Sequence, residues 1–173
     1  MADESPEERY AQSVERVYSN GELEVTWEPR FCIHWAACIR GSEQAFDPRR
    51  RPWVDVTAES SERLAEIVQR CPTGALHARW LDGRPAEAVP ETPVFLPTRD
   101  GPTFVRGRVR LLDRKGEVIR EDTRMALCRC GHSQNKPFCD DSHYQVGFES
   151  NDDHLGPDFD DPDKWPGCPK TNR

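Results

Sequence analysis

No apolar run in this chain approaches the roughly 20 residues that a membrane-crossing helix needs. The opening MADESPEERY has neither the basic start nor the apolar stretch of a secretory leader, so the expectation is a cytoplasmic protein with no membrane partner. Internal repeats are missing. Glycine-rich phosphate loops, nucleophile–base pairs and substrate-pocket motifs are missing too, and the chain is expected not to be an enzyme. Hydrophobic residues make up only 35 %, against 32 % charged residues and 15 prolines in 173 positions. Such a composition buries little core, which favours compact units stapled by metal over one large globule. The net charge of −7 gathers acids at both ends, Asp3 to Glu8 and Glu149 to Asp163. That balance repels nucleic acid, which is not expected as a partner.

What the chain does have is cysteine, seven in all: Cys32, Cys38, Cys71, Cys128, Cys130, Cys139 and Cys168. In a reducing compartment, clustered thiols serve metals or redox chemistry more often than crosslinks. Around them the pattern predicts mixed α+β structure. Ser5-Pro6-Glu7-Glu8 starts a helix carrying Tyr10, Val14, Val17 and Tyr18 on one stripe, and it occupies 1–19. Asn20-Gly21 turns the chain into a strand over Glu22 to Trp27. A helix capped by Thr57 or Ser60 runs to Arg70, with Pro72 ending it beside Cys71. Ala75 to Trp80 reads as a return strand. Residues 82–92, rich in proline and small side chains, read as a linker. Strands follow at Pro93 to Leu96, Thr103 to Leu112, Val118 to Arg120 and Met125 to Leu127. Residues 150–173 read as an acidic, proline-rich tail. The expected units are thus 20–81 and 93–149, one for each cysteine group.

In the second group, Cys128, Cys130, Cys139 and His143 offer three thiolates and an imidazole within sixteen residues. A Cys-x-Cys pair on an extended strand points both sulfurs to one side and suits a single iron. Cys139 and His143, four apart, fit one helical turn, with Asp140 and Ser142 at its start. This is the outline of a 2Fe–2S cluster; a structural Cys3His zinc site uses the same donors, though zinc pairs are usually spaced by two to four residues. The run resembles the CDGSH iron–sulfur family, Cys-x-Cys-x2-Ser/Thr-x3-Pro-x-Cys-Asp-Gly-Ser/Ala/Thr-His, without a gap. The likeness extends through Gly101-Pro102, Val105-Arg106-Gly107, Ala126-Leu127 and Gly147-Phe148. It implies that Cys128, Cys130, Cys139 and His143 hold a 2Fe–2S cluster. One position departs: Asp141 stands where the family has glycine. Aspartate tolerates positive φ better than most residues, and its charge should lower the cluster potential.

In the first group, Cys32 and Cys38 take the outer positions of a Cys-x2-Cys-x2-Cys run, Trp35 replaces the middle cysteine, and Cys71-Pro72 supplies the distant one. Three thiolates hold a 3Fe–4S cluster, or a 4Fe–4S cluster with a further ligand, for which His34 is the candidate. The ordered series Phe31 to His34, Cys38 to Gly41, Ala45-Phe46-Asp47, Arg51-Pro52-Trp53 and Cys71 to Leu76 looks like the divergent single-cluster 4Fe–4S ferredoxins, in which Cys-x-His-x3-Cys and Cys-Pro-Ser/Thr-Gly-Ala-Leu recur. The two resemblances imply a small ferredoxin-like unit followed by a β-rich CDGSH unit.

The remaining candidates have bland readings. Cys168 is a free thiol in a polar tail. His132 lies beside an already complete donor set, and His77 and His154 have no ligand company. Trp27, Trp53 and Trp80 fit core packing, and Arg49–Arg50–Arg51 a solvated face. The function expected is electron transfer, alternatively cluster storage or delivery, or redox and pH sensing, in iron–sulfur assembly. Its partner would be a redox protein or an apo iron–sulfur protein. A homodimer is compatible with the single CDGSH motif.

Overall fold

The computed structural model describes residues 14–151. Most of the helix expected over 1–19 lies outside them, as do the greater part of the tail, His154 and Cys168. The last residues of that expected helix are strand: β1, Arg16–Ser19, pairs antiparallel with β2, Leu23–Trp27. Tertiary pairing decides here: the adjacent Val17 and Tyr18 fall on opposite faces of the strand, with Tyr18 packed on the first core and Val17 exposed. Asn20 forms the turn, its side-chain oxygen accepting from the amides of Glu22 and Leu23 at 3.0 and 2.9 Å.

A 3-10 turn, Pro29–Phe31, and a short helix α1, Ala37–Gly41, frame the first cysteine pair. Helix α2, Ser61–Val68, is capped by the Ser60 hydroxyl, which accepts from the Arg63 amide; Thr57 instead bonds Asp55. The helix buries Leu64, Ile67 and Val68 against Leu23 and Val25 of β2, Phe46, and Leu76 and Trp80 of β3 (Leu76–Trp80). Trp27 and Trp53 meet edge to face at 4.8 Å on the border of this core. The sheet order is β1-β2-β3.

The second sheet, β4-β5-β6, comprises Val94–Pro97, Thr103–Leu112 and Val118–Leu127, all antiparallel. The two short strands expected at 118–120 and 125–127 are one ten-residue strand. The charged stretch between them, Glu121 to Arg124, interrupts the apolar pattern without interrupting the ladder, because Asp122 and Arg124 are buried in ion pairs. The β5–β6 register shifts between Arg106 and Val109. Gly107 in that bulge has φ +127°, and a β-carbon there would lie 2.7 Å from the Cα of Pro93. A last turn of helix, α3, spans Ser142–Gln145.

Two three-stranded antiparallel sheets with short helices make a mixed α+β fold. The sheets are not beads on a string. Phe31 and Ala75 share a buried cluster with Val105, Met125 and Phe138, and Ile33 shares another with Phe104, Ala126 and Cys139. Residues 82–92 are docked as well: Ala86 packs on the first core, and the Ala88 amide donates to Gln69. No helix among the described residues is long and apolar enough to cross a membrane.

Candidate metal centres

The fold gathers Cys32, Cys38 and Cys71 on one small cavity, walled in part by Trp27, Trp35 and Trp53. Phe31 anchors the chain just before Cys32, α1 carries Cys38, and the turn after α2 presents Cys71, whose amide donates to the Val68 carbonyl at 3.0 Å. Burial first, then the facing Cys71 and Cys32 thiols, push Cys38 up to about 12. Burial also raises Cys32, opposed by the His34 amide and the Trp27 indole. Two thiols held protonated by burial and by their neighbours suit a cation-rich core that relieves both at once. The Trp53 indole N–H is buried on the same wall, without a hydrogen-bond partner among the described residues. An unsatisfied indole donor on a residue lining a thiol-rich cavity fits the anionic sulfurs of an iron–sulfur core. Thr73 adds a hydroxyl 3.6 Å from the Cys71 sulfur, a neighbour that only the Cys-Pro-Thr-Gly spacing signals.

His34 is not among the residues on that cavity. It is exposed, has φ +53°, and lines an open cleft with Asp141 and His143 on the other side of Ile33.

The second donor set follows the end of β6. Cys128 and Cys130 hold their sulfurs 3.7 Å apart. Cys139 Sγ lies 3.5 Å from His143 Nδ1, and one ligand atom each from Cys139, Asp141 and His143 lie within 4.8 Å of one another. The mutual effect of Cys128 on Cys139 ties the two pairs together electrostatically. The convergence of Cys139 and His143 does not come from a shared helical turn, because the helix begins only at Ser142. It comes from the bend before it. Asp140 accepts from the Ser142 amide and hydroxyl and from the Gln134 amide, at 3.1, 2.6 and 2.8 Å. Asp141 then adopts φ +68°, the left-handed geometry that the family's glycine takes without strain.

The thiols differ in environment. Burial works to raise Cys128, but the Ser133 and Gly131 amides, the Cys130 thiol and Lys136 outweigh it, and the net shift is downward. Burial dominates at Cys139, pushed up to about 12. Burial lowers His143, keeping the imidazole neutral as a ligand requires. Burial raises Asp141 to about 6, against the opposing pull of His34. His132, exposed, is held by its own loop through Nδ1 and the Cys130 carbonyl at 2.7 Å. Three sulfurs and a neutral imidazole are a donor set suited to an iron–sulfur cluster or to zinc.

Comparison with known proteins agrees with the geometry. Residues 18–80 match the family described as a divergent 4Fe-4S mono-cluster, and residues 100–144 match the family described as an iron-binding zinc finger of CDGSH type. Both resemblances thus appear in the expected order. Two curated relatives, each called uncharacterized protein YjdI, come from Escherichia coli K12 and O157:H7. Each is 28 % identical over 64 residues, which is 37 % of this chain and 84 % of the relative.

Proposed function

With an iron–sulfur protein as the premise, we propose that the chain carries two clusters and transfers electrons. Cys128, Cys130, Cys139 and His143 hold a 2Fe–2S cluster, and Cys32, Cys38 and Cys71 hold a 3Fe–4S or 4Fe–4S cluster. With His34 turned toward the other cleft, three thiolates suit a three-iron core, or a four-iron core with a ligand from elsewhere. Clusters of this kind accept one electron and lend the protein that capacity. The chain's own residues exclude water, hold the thiolates and set the potential.

One observation carries the reading: the donor sets lie back to back on shared cores. Ile33, next to Cys32, is buried with Cys139, and the Phe31 and Phe138 rings meet at 4.8 Å. The Cα atoms of Cys32 and His34 are at most about 7 Å apart by chain reach, yet Cys32 lines the first cavity and His34 the cleft of the second site. Cys139 and His143, 3.5 Å apart, are both taken up as ligands in this reading, so the proposal includes no enzymatic step. Its partner is a redox protein.

Cluster delivery is the second reading, favoured by the half-exposed Cys128–Cys130 pair under the exposed Gly131 and His132. Mixing the loaded protein with an apo-ferredoxin separates the two. Reversible reduction without transfer supports carriage, whereas rapid loss of the 2Fe–2S cluster to the acceptor supports delivery. His143→Cys tests the ligand set: a fourth thiolate adds negative charge, lowers the potential, removes its pH dependence and slows cluster loss in acid. Unchanged acid lability would count against His143 as a ligand.

A further inference from the structure

The second half of the chain reaches into the first through arginines that belong to neither donor set. Arg124, on β6, is 1 % exposed. Its Nη1 donates to the carbonyls of Val68 and Cys71, both at 2.8 Å, and its Nη2 to the Leu76 carbonyl at 2.8 Å. One guanidinium therefore ties the end of α2, the peptide of a predicted cluster ligand and the start of β3. The position is favourable at the negative end of a helix, where the last carbonyls want a cation. Nη2 also lies 3.0 Å from His77 Nδ1. Arginine only donates, so that nitrogen accepts, and Nε2 faces Asp122 at 3.0 Å. The Glu87 carboxylate sits 2.9 Å from Arg124 Nε.

The loop is fitted to this clamp. Gly74 has φ +71°, and a β-carbon there would meet the Arg124 carbonyl and come within 2.7 Å of the Asp122 carboxylate. Arg120 donates to the Gly74 carbonyl at 3.3 Å, and Arg106 to the Gln69 carbonyl at 3.2 Å.

We propose that Arg124 is a positioning residue for the first cluster, supplied by the other half of the chain. It fixes the Cys71 loop through backbone carbonyls, and its buried charge, balanced by Glu87, sets that cluster's reduction potential. Reduction adds negative charge, and charge at low exposure acts through weak screening. A fixed cation beside the ligand therefore favours the reduced form. Removing it lowers the potential, and removing the Glu87 carboxylate raises it. The inference rests on the proposed cluster at Cys32, Cys38 and Cys71.

The test uses the full chain, loaded anaerobically with iron and sulfide and titrated with dithionite under EPR. Arg124→Met should lower the reduced-to-oxidised ratio of the first cluster about tenfold at fixed potential, ~59 mV for one electron. Arg124→Lys should recover most of that loss. Glu87→Gln should move the ratio the opposite way while leaving every Arg124 bond to backbone in place. If Arg124→Met fails to fold, Glu87→Gln decides alone. Variants that stay at the wild-type midpoint, or both move in one direction, overturn the inference. A wild-type chain without an EPR-active core on the first three cysteines overturns the underlying reading, and it does so before any variant is made.

Discussion

The two donor sets use the same soft chemistry in settings that differ at one pair, Cys128 and Cys130, since Cys139 is buried and pushed up to about 12 as Cys38 is. Cys32, Cys38 and Cys71 line one cavity walled in part by indoles, where burial and the neighbouring thiols disfavour the Cys32 and Cys38 thiolates. Cys128 and Cys130 sit half-exposed on a loop whose amides favour the Cys128 thiolate. A thiolate that only its cluster stabilises should be held when the cluster is present and inert when it is not. A thiolate favoured by amides and within reach of solvent is the reactive kind. On this contrast, an iron chelator should strip the Cys128–Cys130 site before the Cys32–Cys38–Cys71 site.

The sharpest way to break this contrast is to delete one ligand at a time. Cys71→Ser should abolish the first cluster while the spectrum of the second persists, and Cys130→Ser should do the reverse. Iron and sulfide analysis with EPR counts what remains. If either variant empties both sites, the halves do not load independently, and the shared Phe31–Phe138 core couples more than packing.

Next in size is the ionic seam between the halves. Burial works to raise Asp122, but His77, Arg120 and Arg124 outweigh it and hold its carboxyl at about 2. Its side chain is 4 % exposed, so solvent screening does little to weaken the effect. A depressed carboxyl contributes stability that is present above the unfolded value, near 4, and is lost as pH falls toward 2. Asp122→Asn should therefore remove about 2 kcal/mol at neutral pH. Urea unfolding at stepped pH should show the gap to wild type closing below about pH 4. A constant gap would mean that Asp122 acts through shape and not through charge.

That seam is also where the sequence was least legible. The two cysteine groups that the fold brings together were legible from spacing and family resemblance because their residue types are rare, whereas His34, the fourth candidate of the first group, faces the other cleft. The Ser60 cap and the apolar stripe Leu64, Ile67, Val68 located α2, and β5 over Thr103–Leu112 had the expected bounds. Arg120 ended one expected strand and Asp122 and Arg124 fell in the gap before the next, since their partners Glu28, Gly74, Cys71 and His77 lie dozens of residues away. His77 looked solitary for the same reason. Residues 82–92 looked like a linker because Glu87 shows its purpose only beside Arg124. Long-range polar pairing leaves no period to read.

The smallest expected effect concerns the residue that departs from its family. Asp141 adopts φ +68°, a conformation costing a non-glycine residue roughly 1–2 kcal/mol, less for aspartate than for most. Asp141→Gly should relieve that strain, partly offset by the extra freedom glycine gains in the unfolded chain, for a net gain of about 1 kcal/mol or less. It should also raise the potential of the cluster at Cys139 and His143, because a carboxylate within ligand distance disappears. Thermal unfolding reads the first effect and a redox titration the second. The two together sharpen the contrast between the sites: a potential that rises without a gain in stability would show that Asp141 is kept for its charge, and that the second site is tuned from its own loop.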